Sequence, residues 1–208
     1  MVTAADVEVR RHAARKQEIV GRLLPVVEQL IDRGESYLNL PLEDILKASS
    51  LSRTTFYRYF KDKYELLLAL SEPAMEQVMD AATHPWRLGA HATQEGLEAE
   101  LRRTIEVYRP HVALIEAMFE AATYDARAKE HFRGGFESVK AAIAEHLRTG
   151  QREGYIRADI HPVETAGWLT WMGERGMTQL VPGADEATIQ RLAESLAAIV
   201  WNSIYAHP

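Results

Sequence analysis

The sequence predicts an all-α chain in two parts, a small N-terminal set of three helices followed by a larger helical bundle. Three observations predict it. Apolar residues recur at helical spacing in nearly every segment, in a background rich in Ala, Leu, Glu and Arg, and few runs alternate as strands do. Pro and Gly punctuate the helical runs at short intervals. The charge is divided: the net charge is −6, yet residues 1–70 hold 11 Lys/Arg against 10 Asp/Glu, and residues 71–208 hold 13 against 20. The expected domains are 1–66 and 67–208, within the range that 208 residues allow.

The elements follow in order. EIVGRLLPVVEQLIDRG has an amphipathic pattern ending at Gly34, a natural C-cap. Pro25 means either that the helix starts near it or that the helix is kinked there. PLEDILKAS (41–49) is a short helix with Pro41 in its first turn and Glu43 and Asp44 at its positive end. Ser49 and Ser50 break it, and Ser52 can cap the next helix, RTTFYRYF (53–60). Asp62 can cap a further helix that runs into the 70s. THPWRLGAHATQ (83–94) reads as a loop. Longer helices are expected at about 95–109, 111–124, 126–150, 162–181 and 185–205.

Composition excludes several classes. Hydrophobic residues at 47% and charged residues at 26% are ordinary for a folded domain. The absence of cysteine excludes a disulfide framework, a thiolate zinc site and a cysteine nucleophile. The first residues carry no apolar leader, and no run approaches ~18 uninterrupted apolar residues, so a cytoplasmic protein without membrane contact is expected. The eight histidines show no metal-binding spacing. There is no glycine-rich phosphate loop, nucleophile elbow or triad, so neither an enzyme nor a metal or cofactor is expected.

The chemistry concentrates in SLSRTTFYRYFKDKYELL (50–67), where Arg53, Arg58, Lys61 and Lys63 surround five aromatic rings. At about 100° per residue, Phe56 and Phe60 fall about 40° apart and form one apolar stripe. Arg58 lies opposite with Thr54 and Thr55 beside it, and Tyr57 and Tyr59 take the flanks. The stripe suits packing on Leu42, Ile45, Leu46 and Leu51. The opposite face suits a DNA major groove, where Arg matches guanine O6/N7 and Thr matches several acceptors or a thymine methyl. Tyr hydroxyls and Lys63 suit phosphates. Two short helices joined by a tight turn, the second polar outside, form a helix-turn-helix. The same residues also fit an ordinary surface helix with solvated charges.

LEDILKASSLSRTTFYRYFKDKYELLLAL (42–70) resembles the DNA-binding segment of the TetR family of bacterial transcription regulators. The match runs through Ser52, Thr55-Phe56-Tyr57-Arg58-Tyr59-Phe60, Asp62-Lys63 and Leu66-Leu67. Two positions depart: Ser50 stands where the family turn usually has Gly, and Pro41 where a capping Ser or Thr is usual. The resemblance implies an N-terminal helix-turn-helix DNA-binding domain and a C-terminal helical bundle for ligand binding and dimerisation. It implies that Ser52, Arg53, Thr54, Thr55, Tyr57, Arg58, Tyr59 and Lys63 meet double-stranded DNA. The expected target is a palindromic operator, because two copies of a short recognition helix read two half-sites.

WMGERGM (171–177) and VWNSIYAHP (200–208) resemble the last two helices of a mycobacterial member of that family. The resemblance implies that those helices form a homodimer seam, although the apolar positions of ATIQRLAESLAAIVWNSIY fit a buried core helix equally. Trp86, Tyr108, Met118, Phe119, Tyr124, Phe136, Trp168, Trp171, Met172 and Trp201, with Thr170 and Glu174 as polar groups, are candidates for a small-molecule effector pocket; Glu120 is a further polar candidate. Core packing explains any one of them as well. The expected function is a repressor released by a small apolar or amphipathic effector. The alternative is a helical small-molecule-binding or scaffolding protein that has lost DNA binding.

Overall fold

The computed structural model describes residues 4–31 and 36–206. Among them are nine α-helices: α1 (Ala4–Ile31), α2 (Leu42–Ala48), α3 (Arg53–Tyr59), α4 (Lys63–Thr83), α5 (Gln94–Tyr108), α6 (Val112–Ala122), α7 (Ala126–Glu153), α8 (Pro162–Leu180) and α9 (Glu186–Ile204). The 83–94 segment is two short 3-10 turns, His84–Arg87 and Gly89–His91. Among the described residues there is no strand, only an isolated antiparallel bridge between Ile156 and Tyr205. No described helix is long and apolar enough to cross a membrane.

The first helix does not begin at Pro25. It runs from Ala4 through Pro25 to Ile31, and the expected end at Gly34 lies outside the described residues. Pro25 removes the donor for the Gly21 carbonyl. Both residues face solvent, where water can replace that bond. Pro73 inside α4 is exposed in the same way. Thr93 caps α5 by accepting from Gly96 N at 3.0 Å, and Asp185 caps α9 by accepting from Thr188 N at 2.8 Å.

The chain divides into two compact units, and the division is not sequential. Unit 1 comprises Met1–Pro73 and Ala113–Glu130; unit 2 comprises Ala74–Val112 and His131–Pro208. Unit 1 buries Ile19, Val20, Leu23 and Val27 of α1 with Ile45, Leu46, Phe56, Phe60, Leu66, Leu67 and Leu70. Leu114, Ile115, Met118 and Ala121 of α6 are also buried there. Unit 2 is built on α5, α7 and α9, which bury Leu97, Leu101, Val139, Ile143, Leu147, Val200 and Ile204 in one cluster. Arg102 binds Glu106 at 2.9 Å and Glu186 at 2.6 Å, and Arg109 binds Glu186 at 3.0 Å, so charge pairs join α5 to the start of α9.

Gly150 is fixed by packing. A Cβ there would lie 2.6 Å from Tyr155 Cε2 and would also collide with the side chain of Ile156. Its carbonyl accepts from the backbone N–H groups of Gly154, Tyr155 and Ile156, which turns the chain at the end of α7. Gly154 follows at φ 87°, a left-handed position that suits a residue without Cβ.

Candidate nucleic-acid interface

The head is built around one tight turn. α2 ends at Ser49, whose hydroxyl donates to Ile45 O at 2.7 Å. Ser50 then takes φ 54°. Its N–H donates to Lys47 O at 3.2 Å, and Leu51 N–H donates to Leu46 O at 2.9 Å. That pair of bonds is a Schellman motif, with Leu51 and Leu46 as its apolar contact pair. An L-residue, Ser50, thus occupies the left-handed position that favours glycine.

Ser52 next caps α3, its hydroxyl accepting from Thr55 N at 3.1 Å. A helix of seven residues does not hold itself together in water. Phe56 and Phe60 anchor this one, both buried with rings 5.3 Å apart. Full burial of each ring contributes about 1.5–3 kcal/mol. The apolar stripe read from the sequence is thus the packing face of α3. Thr54, Tyr57 and Arg58 stand on the exposed side, with Tyr57 55% exposed.

The other expected contact residues are partly engaged inside the head. Thr55 is half-buried and its hydroxyl lies 2.8 Å from that of Ser52. Arg53 forms an ion pair with Glu43 of α2. The Tyr59 ring lies 4.8 Å from His12 of α1. Lys63 departs furthest from its expected phosphate role. Its ammonium donates to Leu38 O, and to Leu40 O at 3.3 Å, in the turn before α2. Burial lowers its pKa, and the charge of Glu120 acts in the opposite sense. Tyr37, fully buried, donates its phenol to Lys63 O at 2.7 Å, and burial pushes that phenol well above its ordinary pKa. An ammonium surrounded by carbonyls and the Tyr37 ring closes the base of the head rather than facing outward.

Sequence reasoning missed Glu43, which it treated only as a helix-dipole partner. With Leu46, Lys47, Ser50, Leu51, Ser52 and Arg53 it lines a shallow cleft of about 460 Å³ along the turn. It also passed over the part of α1 before Glu18, where Lys16 binds Glu65 of α4 at 2.8 Å. The pattern before Pro25 held the signal, since α1 continues the same amphipathic face.

Unit 1 also takes in α6 from Ala113 onward and the start of α7. Ser36 donates to Glu120 at 2.5 Å. Arg127 binds Asp62, the cap of α4, at 3.0 Å and Asp125 at 2.7 Å. Arg127 holds the Asp125 carboxyl below the usual carboxylate range.

The expected pocket residues are divided between the units. Met118, Phe119, Glu120 and Tyr124 lie in unit 1, and the remaining candidates lie in unit 2. Met118 and Tyr108 are buried among core side chains. Tyr124 and Trp168, at 74% and 79% exposed, stand in solvent and do not wall an enclosed pocket of the protomer. Trp171 and Met172 are also exposed, while Thr170 is buried and Trp86, Phe119, Phe136, Glu174 and Trp201 are half-buried. Trp201 stacks on Tyr205 at 4.1 Å, and Tyr205 OH lies 3.1 Å from His146 Nε2, so Trp201 belongs to an aromatic cluster around a buried histidine.

A short capped helix held by two buried rings behind a Schellman turn, with Thr, Tyr and Arg outward, has the geometry of a helix-turn-helix. Residues 27–70 match the model of the bacterial regulatory proteins of the tetR family. Over those residues the chain resembles the regulators of that family. It is similar to the HTH-type transcriptional regulator EthR of Mycolicibacterium smegmatis, 26% identical over 190 residues that span 88% of this chain and 84% of that one. A TetR-family regulator structure from Mesorhizobium loti matches 94% of this chain and 99% of its own at TM-score 0.68 and 21% identity. A transcriptional regulator from Saccharomonospora viridis, solved in complex with choline, matches 91% of this chain and 99% of its own at TM-score 0.68 and 20% identity. These two likenesses show the fold.

Proposed function

We propose that the chain is a cytoplasmic homodimeric repressor that binds a palindromic operator and is released by a small amphipathic effector. The observation that carries this reading is the outward face of α3, where Thr54, Tyr57 and Arg58 are exposed while the opposite face is locked by Phe56 and Phe60. Arg58 and Thr54 read base edges, with Arg53 swinging from Glu43 to join them. Tyr57 and Tyr59 hold phosphates. Lys61, exposed between α3 and α4, takes the phosphate role first expected of Lys63.

Dimerisation is supported by the last two helices. Trp168, Trp171 and Leu180 of α8 and Ile199 of α9 are exposed large apolar side chains. A second copy would remove them from water, and the two-fold symmetry matches a palindrome. Effector binding in the bundle shifts the equilibrium only if the effector prefers the DNA-free form.

The test is selection of bound duplexes from a random pool by the purified protein at near-physiological salt. Enrichment of a palindrome supports the reading. Absence of enrichment at every salt concentration, with and without cell extract, favours the ligand-binding or scaffolding alternative.

A further inference from the structure

We propose that Glu43 of α2 is a specificity-determining residue that reads a cytosine in each half-site, beside the guanine read by Arg53 of α3. The inference rests on the DNA-reading role of α3 above and adds a base reader that lies outside that helix.

The Glu43–Arg53 ion pair places a carboxylate of α2 against the first residue of α3. In a helix-turn-helix, that end of the recognition helix approaches base edges. Glu43 therefore enters the same groove as Arg53. Both side chains are more than half exposed, Glu43 at 57% and Arg53 at 62%, so the pair is open to exchange. An exposed ion pair is favoured by only roughly fivefold or less, which a bidentate bond to guanine outweighs. When Arg53 turns to guanine O6 and N7, the Glu43 carboxylate loses its partner in a groove rimmed by phosphates. An ionised carboxylate only accepts hydrogen bonds. In the major groove guanine and thymine offer it acceptors, which repel it, whereas cytosine offers its N4 donor and no acceptor. Adenine sets its donor beside the N7 acceptor, so cytosine is the base on which the carboxylate gains most. The rejected bases sharpen the choice, because each leaves a charge unpaired. Successive bases rise by about 3.4 Å, the scale of an ion-pair contact, so side-chain rotation alone carries the two groups to adjacent base pairs. Asp44, the other acid in the first turn of α2 and also exposed, shares the helix-dipole role and is the natural control.

The test is the random-duplex selection run on the full chain as wild type, Arg53→Ala, Glu43→Ala, Glu43→Gln and Asp44→Ala. Anisotropy on duplexes with single pairs changed then gives the affinities. Arg53→Ala identifies the guanine. Glu43→Ala should lose preference at one cytosine per half-site next to that guanine and keep the rest of the palindrome. Replacing that cytosine should weaken wild type about fivefold or more and Glu43→Ala less than about twofold. Glu43→Gln, which donates as well as accepts, should admit adenine there. It keeps the size of the side chain and carries the test if Glu43→Ala melts below wild type. Asp44→Ala should keep the wild-type motif. An unchanged cytosine preference in either Glu43 variant overturns the proposal. So does loss at the guanine alone, which would make Glu43 a support for Arg53, equal loss at every position, or the same relaxation in Asp44→Ala. A wild type that selects no motif strikes the regulator reading and this inference with it, whereas a palindrome that keeps its cytosine in Glu43→Ala strikes this inference alone.

Discussion

Replacing Ser50 by glycine should stabilise the head. Ser50 sits at φ 54°, is exposed, and its hydroxyl bonds nothing within the described residues, so the substitution changes the backbone term and little else. A left-handed L-residue costs roughly 1–2 kcal/mol. Glycine removes that cost but loses about 0.5–1 kcal/mol through its freer unfolded chain. The net gain is about 0.5–1 kcal/mol. With a urea m-value of about 2 kcal/mol/M, the unfolding midpoint of the head should rise by about 0.3–0.5 M. The assay is urea unfolding followed by far-UV circular dichroism, because all four tryptophans lie in unit 2 and their fluorescence reports that unit. Ser50→Ala keeps the Cβ and the strain, so it should stay within about 0.5 kcal/mol of wild type. If Ala stabilises as much as Gly, or if Gly changes nothing, the strained turn is not the cause.

Four further substitutions or conditions probe other parts of the molecule. Arg58→Ala should cost about 1–3 kcal/mol of operator affinity and relax preference at one position per half-site, read by repeating the selection with the variant. Lys61→Ala should flatten the salt dependence of binding by about one unit of slope per subunit, whereas Lys63→Met should leave the slope alone and lower the head's urea midpoint; the reverse pattern would return Lys63 to the phosphates. Gly150→Ala should destabilise unit 2 by about 1–3 kcal/mol in a tryptophan-monitored melt, because its Cβ meets Tyr155 and Ile156. Burial lowers the pKa of His146 and of His111, with the Trp86 carbonyl partly opposing the shift at His146. Both are neutral when folded, so their stabilisation is complete above the unfolded value of about 6.5 and is lost as pH falls toward the folded values. The melting temperature should therefore fall as pH is lowered from about 7. That slope should flatten when both histidines are replaced by Gln, and an unchanged slope would assign it to other groups.

What the sequence made legible follows from local physics. The helix ends after residue 94 were readable because Pro110, Gly154, Pro162 and Pro182-Gly183 punctuate the helical pattern. The packing stripe of α3 was readable because helical period alone places Phe56 and Phe60 together. The fate of Lys63 was not, since its partners are carbonyls of Leu38 and Leu40, in a turn that leaves no mark on the pattern around residue 63. The Glu43–Arg53 pair likewise depends on how the Ser50 turn aims α3. Aromatic content could not separate Trp168, exposed, from Trp201, stacked on Tyr205, because both sit in similar apolar runs. The inclusion of α6 in the head unit is a long-range packing outcome with no local signature.

The most direct test of the central claim is the binding stoichiometry and affinity of the wild-type protein on its selected duplex, measured by anisotropy and sedimentation at physiological salt. Two protomers should bind one palindrome, with affinity at least about 10³-fold above that for a scrambled duplex. One protomer per site, or equal affinity for the palindrome and the scrambled duplex, would contradict a dimeric sequence reader built on α3.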